Sequence, residues 1–336
     1  MDDISQKEVD LPLMRRFLFF ATTLFIQWAT IVGRLLAEEP NELPLNVPMP
    51  TMGGKQFWAD ELFFHQWHIQ RNVVTGHYRL LDENDYRRAW GTLTDCCSAL
   101  EQIKHDQQIP PMSGKAVILL HGLFRSHTSM DKLAKYLRNQ GGYTVLSVTY
   151  PSTQSGVDEH ASALARIIAN LDGIEEINFV AHSMGNIVVR HYLADCKPKP
   201  DPRLRRMVML GPPNHGSLGA VVLAENAIFK VLTGQAGQEL GVEWSTLEQR
   251  LATPGFDFGI IAGGKQDGRG FNPLLPGDND GTISVDTTRL IGASDFVILP
   301  ALHTFLMDDA KVQEYTLRFL QQGYFTEPKE RHPLTR

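Results

Sequence analysis

At 336 residues, with 43% hydrophobic side chains, the chain can bury a substantial core, which excludes a disordered segment. A net charge of −6 and the lack of a clustered Lys/Arg face argue against nucleic acid as a partner. Three cysteines, Cys96, Cys97 and Cys196, are too few and too oddly numbered for a disulfide scaffold, and a bridge between neighbours Cys96 and Cys97 would be strained.

Within residues 1–39, the run Phe17 to Gly33 carries no charge and is flanked by Arg15-Arg16 and Arg34. Its 17 residues would span roughly 25 Å as a helix, just short of a 30 Å hydrocarbon core, and Leu35, Leu36 and Ala37 extend it. Lys7, Arg15 and Arg16 precede the run while Glu38, Glu39 and Glu42 follow it, a bias that keeps the N-terminus cytoplasmic and sends the rest across. The expectation is a membrane anchor with the following domain on the extracytoplasmic side. A cleaved signal is the rival, although Leu35-Leu36-Ala37 is a poor cleavage site, and a core or interfacial helix is the third reading.

Residues 40–112 read as a connector and an accessory segment. Pro40, Pro44, Pro48 and Pro50 mark an extended stretch, and the aromatics between Phe57 and Asp82 suggest packing against a larger body. His65, His68 and His77 have no Cys or carboxylate at a recognisable ligand spacing, so no metal is expected. Asn84 is read as the cap of a helix with the stripe Trp90, Leu93, Cys97, Leu100 and Ile103.

Residues 113–325 change rhythm. Lys115 to Leu120 is a short apolar run ending at His121-Gly122-Leu123. Met130, Leu133, Ala134 and Leu137 then make a helical stripe, Tyr143 to Val148 a strand, and Leu164, Ile167, Ile168 and Leu171 a second stripe. Strands at Ile177 to Ala181, Arg206 to Leu210, Phe258 to Ala262 and Phe296 to Leu299 continue the alternation, which gives an α/β fold with a mostly parallel sheet covered on both faces. Reactive groups in such a fold gather at the C-terminal ends of the strands. One of those ends carries Ala181-His182-Ser183-Met184-Gly185, a small-x-Ser-x-Gly turn between a strand and a helical pattern, where the flanking small residues let strand and helix pass closely. An apolar helix within Val221 to Leu232 is read either as a lid over the sheet edge or as a core-facing helix. After it, a helix spans Asp308 to Gln321, and the charged residues 326–336 are expected to be a loose tail.

Together with Val117 to Leu123, Gly211-Pro212-Pro213-Asn214-His215-Gly216-Ser217 and Asn279-Asp280-Gly281, this turn resembles the α/β-hydrolase superfamily. Within it, the likeness is to small bacterial triacylglycerol lipases and esterases over residues 113 to 322. The resemblance implies Ser183 as nucleophile, followed in chain order by an acid and a histidine. Asp280 in the Asn-Asp-Gly turn is the expected acid, with Asp278 and Asp286 as competitors. His303 is the expected base, because His182 is too near Ser183 in sequence and His121 and His215 precede the acid. Backbone N–H groups of Met184, next to the nucleophile, and of Leu123, on the resemblance alone, would form the oxyanion hole. The expected activity is hydrolysis of lipid or other acyl esters through an acyl-enzyme, without cofactor or metal. Alternatives are an acyltransferase or thioesterase using the same residues, or a membrane-tethered binding protein on this scaffold.

Overall fold

The computed structural model describes residues 49–50, 55–216, 235–241 and 243–335. Asn46–Arg336 form one compact unit; Met1–Leu45, with the apolar run 17–33 and its expected role as anchor or signal, lie outside the described residues. Among the described residues no helix is long and apolar enough to cross a membrane.

The accessory segment is an antiparallel sheet of β1 (Met49–Pro50), β2 (Trp58–Phe64), β3 (Trp67–Asn72), β4 (Tyr78–Leu81) and β5 (Tyr86–Gly91), in the order β1-β5-β4-β3-β2. Helix α1 (Leu93–Asp106) covers it, burying Cys96 and Leu100 against Ile69, Leu80 and Ala89. This corrects the expected helix. Trp90 belongs to β5, Leu93 is exposed, and Asn84 sits in the β4–β5 turn, where Asp82 Oδ1 accepts from the N–H groups of Asn84 (2.9 Å) and Tyr86 (3.0 Å). The actual cap is Thr92. Its Oγ1 accepts from Asp95 N (3.2 Å) and its own N–H donates to Asp95 Oδ2 (2.8 Å), a reciprocal pair worth about 1 kcal/mol. The aromatic stretch does pack on a larger body: Phe63 joins the main core.

That body is a six-stranded sheet of β6 (Gly114–Leu120), β7 (Thr144–Val148), β8 (Ile174–His182), β9 (Leu204–Leu210), β10 (Asp257–Gly263) and β11 (Asp295–Leu299). Its order is β11-β10-β9-β8-β6-β7 and every pairing is parallel. Strands buried on both faces read as continuous apolar runs because both sides need hydrophobic partners. In β6, Ala116, Ile118 and Leu120 face one core while Val117 and Leu119 face the other. Helices α3 (Val157–Ala169) and α4 (Met184–Asp195) fill the first core; α2 (Asp131–Gly141) and α7 (Ala310–Gln322) fill the second. The short helices α5 (Trp244–Glu248) and α6 (Val285–Thr288), and the helical residues 235–240, lie between α4 and α7 in the chain. The apolar stretch read as lid or core helix falls outside the described residues.

Two details depart from the sequence reading or extend it. The tail is not loose: Leu334 exchanges backbone hydrogen bonds with Gly292 (2.8 Å) and Ala293 (2.9 Å), and His332 N donates to buried Asp295 (2.9 Å). The edge strand β7 is met by the accessory sheet. Val145 O accepts from Gln66 Nε2 and Arg138 Nη2, both at 3.2 Å, and Asp60 N donates to Thr149 O (2.9 Å) just past the strand.

Candidate active site

Ser183 stands where β8 stops and α4 begins, with φ 53° and ψ −123°, a conformation that non-glycine residues rarely adopt. Strain of this kind costs about 1–3 kcal/mol and needs surroundings that enforce it. Those surroundings are specific: Ser183 N donates to Leu210 O (2.9 Å) at the end of β9, and Asn186 Nδ2 donates to Ser183 O (2.9 Å). Gly185 cannot carry a side chain, since a Cβ there would lie 2.7 Å from Leu120 O. A Cβ on Gly122 would lie 3.0 Å from Ser183 Cβ, so the His-Gly turn after β6 and the serine turn after β8 are in close approach.

The three residues expected to act together are in contact. Ser183 Oγ lies 3.0 Å from His303 Nε2, and His303 Nδ1 lies 2.7 Å from Asp280 Oδ2. A carboxylate can only accept, so Nδ1 carries the proton, and Nε2 of the neutral ring is left to accept from the serine hydroxyl. His303 opens a 3₁₀ turn (His303–Asp308) after β11, and its N–H also donates to Asp280 O (2.9 Å). Asp280 Oδ1 accepts from Thr282 N (3.0 Å) and Ile283 N (2.7 Å), which fixes the carboxylate plane. The competing acids are elsewhere: Asp278 braces the Lys265–Gln266 turn, and Asp286 is exposed beside Arg289.

The other histidines have distinct positions. His182 is buried, and its Nε2–H donates to His303 O (2.9 Å) while its ring lies 4.7 Å from the His303 ring. Burial, aided by the neighbouring His303 and Arg125, holds its pKa well below the ordinary value. It therefore stays neutral and supports the backbone of His303. Burial pushes His121 down to about 3; its Nδ1–H donates to Gly122 O (2.8 Å), and its ring stacks on Tyr150 at 4.0 Å. The Tyr150 hydroxyl donates to His121 O, so the His-Gly turn is clamped from behind. His215 is exposed, 3.5 Å from Glu248. His65, His68 and His77 go to three different places: Pro110 O, the Asp60 carboxylate and Thr75 Oγ1. Among the described residues no group of His, Cys, Asp and Glu is arranged to hold a metal ion.

Sequence reasoning gave Gly211 no role. At φ +51°, directly after β9, it has its Cα against the two residues that meet at 2.7 Å: a Cβ there would be 3.0 Å from His303 Nδ1 and 3.2 Å from Asp280 Oδ2. The signal was present, because a glycine closing an apolar run and preceding two prolines marks a special backbone position.

Ser183 and His303 open into a cleft of about 910 Å³. Leu123, Phe124, Pro213, Leu240, Leu275 and Ile283 contribute apolar wall, and Gln56 reaches it from the accessory segment. The backbone of Leu123 belongs to this lining, and Met184 is the first residue of α4, whose N-terminus favours negative charge.

The sequence profile of the alpha/beta hydrolase family matches residues 117–324. No curated protein sequence matches the chain. Among solved structures, the chain is similar to the lipase BlEst2 of Bacillus licheniformis in mature form, at 19% identity and a TM-score of 0.47 over 64% of this chain and 95% of that one. It is also similar to the lin2722 gene product of Listeria innocua, at 21% identity and a TM-score of 0.45 over 62% of this chain and 95% of that one. A third is phospholipase PlaB of Legionella pneumophila, at 23% identity and a TM-score of 0.42, where the match spans 52% of this chain and 44% of that one. The family's span runs from within β6 to just beyond α7 and so takes in the whole parallel sheet apart from the first residues of β6; on that match, the chain belongs to the alpha/beta hydrolase family.

Proposed function

We propose that the protein is a serine hydrolase that cleaves carboxylic esters through an acyl-enzyme. The observation that carries this reading is the hydrogen-bonded line from Ser183 Oγ through the His303 ring to Asp280, lying in an open cleft. Ser183 attacks the ester carbonyl as His303 Nε2 takes its proton, and Asp280 keeps the Nδ1 proton in place and stabilises the imidazolium. His303 then protonates the departing alcohol, and water repeats the sequence to release the acid. Negative charge on the former carbonyl oxygen is met by the N–H groups of Met184 and Leu123, the first aided by the positive end of α4. His182, held neutral, does not compete for the proton.

The substrate we assign is a lipid or other apolar acyl ester. Six apolar side chains line the cleft, one of them the exposed Phe124, and Leu302, next to His303 in sequence, is exposed as well. An apolar substrate would recover that exposed area, at about 25 cal/mol per Å². We further assign the apolar run 17–33 as an anchor that holds the catalytic domain on the extracytoplasmic side of a membrane; release of a shortened chain by a carbonate wash would overturn this.

The enzymatic reading is tested with p-nitrophenyl esters of graded acyl length. Ser183→Ala should lose activity by a factor on the order of 10⁶ and should not be labelled by a fluorophosphonate probe that labels the wild type. Equal turnover by the two proteins would end the assignment.

A further inference from the structure

The segment carrying Leu123 is a strained turn with one long internal hydrogen bond. Phe124 has φ +61° without being glycine, its side chain is 53% exposed, and Arg125 N reaches Gly122 O only at 3.3 Å. Leu123 packs against the main core, but a turn strained at Phe124 needs further support. Part of that support comes from the hydrolase body, where the Tyr150 hydroxyl donates to His121 O and Arg125 Nη2 donates to Thr304 O (3.0 Å), and part from the accessory segment, which lies outside the family's matched span.

Two connections reach the loop. Gln56 Nε2 donates to Arg125 O (3.0 Å), while its Oε1 accepts from Thr153 Oγ1 (3.1 Å) and Thr153 N (3.3 Å). The second is a closed ring. Asp85, in the β4–β5 turn, places Oδ2 3.4 Å from Nε2 of His127, the first residue of the 3₁₀ turn (His127–Met130) that follows the loop. Asp85 Oδ1 lies 3.5 Å from His68 Nε2, and His68 Nδ1 lies 2.7 Å from Asp60 Oδ1. Asp60 Oδ2 accepts from Thr149 N (2.6 Å), and Thr149 Oγ1 lies 2.6 Å from His127 Nδ1, closing the circuit. Asp60, His68 and Thr149 are buried, and polar groups paired in a low dielectric are rigid and costly to part. Burial lowers the His68 pKa, but the Asp60 and Asp85 carboxylates outweigh it and hold the imidazole up at about 9. Hydrogen bonds from His127 and His68 draw the Asp85 carboxyl well below its usual range, and Arg79 of β4 faces the same two carboxylates. The ring therefore carries both signs of charge at neutral pH.

We propose that the accessory segment braces the oxyanion loop: Asp85 acting through His127, and Gln56 acting through Arg125, help fix the Leu123 N–H where charge develops in the transition state. This rests on the ester-hydrolase reading of the same site. Asp85 and His127 are positioning residues. An oxyanion donor works because it is already in place when the charge forms, so loosening it lowers kcat and leaves KM nearly unchanged.

Asp85 allows a narrow substitution. It sits at φ +61°, a conformation that asparagine also tolerates, so Asp85→Asn keeps the turn and the shape while removing the charge. In the full chain, kcat of this variant should fall at least about tenfold with KM within about twofold. His127→Gln should do the same, and the double variant should be no worse than either single one, because both open the same ring. Hydrogen–deuterium exchange should quicken at residues 122–127 and stay unchanged along α4. Should Asp85→Asn fail to fold, His127→Gln carries the same readouts. Unchanged exchange at 122–127 overturns the brace, as does an unchanged kcat in a variant of an active wild type. If Ser183→Ala leaves ester hydrolysis intact, the ester-hydrolase reading falls, and the brace is then judged on exchange, which needs no substrate.

Discussion

Gly211→Ala separates a site effect from a stability effect. The added methyl would lie 3.0 Å from His303 Nδ1, 3.2 Å from Asp280 Oδ2 and 2.9 Å from Leu306 Cδ1, each closer than ordinary contact, so these groups must retreat by a few tenths of an ångström. Leu306 can swing aside, but relief of the two polar contacts lengthens the 2.7 Å bond that orients the imidazole or tilts the ring away from Ser183 Oγ. A misplacement approaching 1 Å costs about 10²-fold, so kcat should fall roughly 10- to 100-fold. Left-handed alanine adds about 1–2 kcal/mol of strain, and the overpacked contacts about 1–3 more, roughly 2–5 kcal/mol together. Against a domain stability of about 5–15 kcal/mol, the thermal melt shows whether the variant is folded under the assay conditions, so that lost turnover is read on folded protein. Gly323→Ala is the control: at φ +81° it carries similar strain, but its nearest contact is 3.5 Å, with Arg206 and away from the cleft. Steady-state kinetics and thermal melts on both variants decide the matter. Wild-type kcat in Gly211→Ala, or an equal loss in Gly323→Ala, would refute the argument.

Ser183→Gly should raise the melting temperature, because removal of the Cβ relieves about 1–2 kcal/mol of strain at φ 53°, while abolishing turnover; a lower melting temperature would show that the turn is not strained. His68 supplies the pH dependence. Its value of about 9, against 6.5 when free, means that its contribution is fully present below pH 6.5 and is lost as pH rises through 9, a change of about 3 kcal/mol in urea-unfolding free energy. The groups facing it are Asp60, Asp85, Arg79 and His127; His68→Gln should flatten the profile over that window, and an identical profile would contradict the assignment.

The parallel sheet was legible because strands buried on both faces leave unbroken apolar runs such as Val117 to Leu120. The accessory sheet was not. Its strands mix aromatics with charges, and the bulge between Asp60 and Leu62 breaks the alternation. Asn84 misled for a chemical reason, since residues that cap helices also stabilise turns, and here the turn prevailed. Ser183, Asp280 and His303 were named through the order that the resemblance implies, and the fold brings them within hydrogen-bonding distance of one another. Gly211 carried a signal, a glycine between an apolar run and two prolines, that was given no role; the ring of Asp60, His68, Asp85, His127 and Thr149 carried none, because tertiary pairing brings together residues far apart in the chain whose types are individually ordinary.

The side chains laid along β7 have a bearing on how the chain could be shortened. Gln66 and Arg138 occupy the carbonyl of Val145 on an outer strand, and Asp60 holds the chain at Thr149, just past the strand's end. A version cut back to residue 113 would lose Gln66 and Asp60 and expose that ladder to a second molecule. Clumped, strand-paired material is the expected yield of such trimming, so a soluble minimal enzyme has to begin upstream of β2.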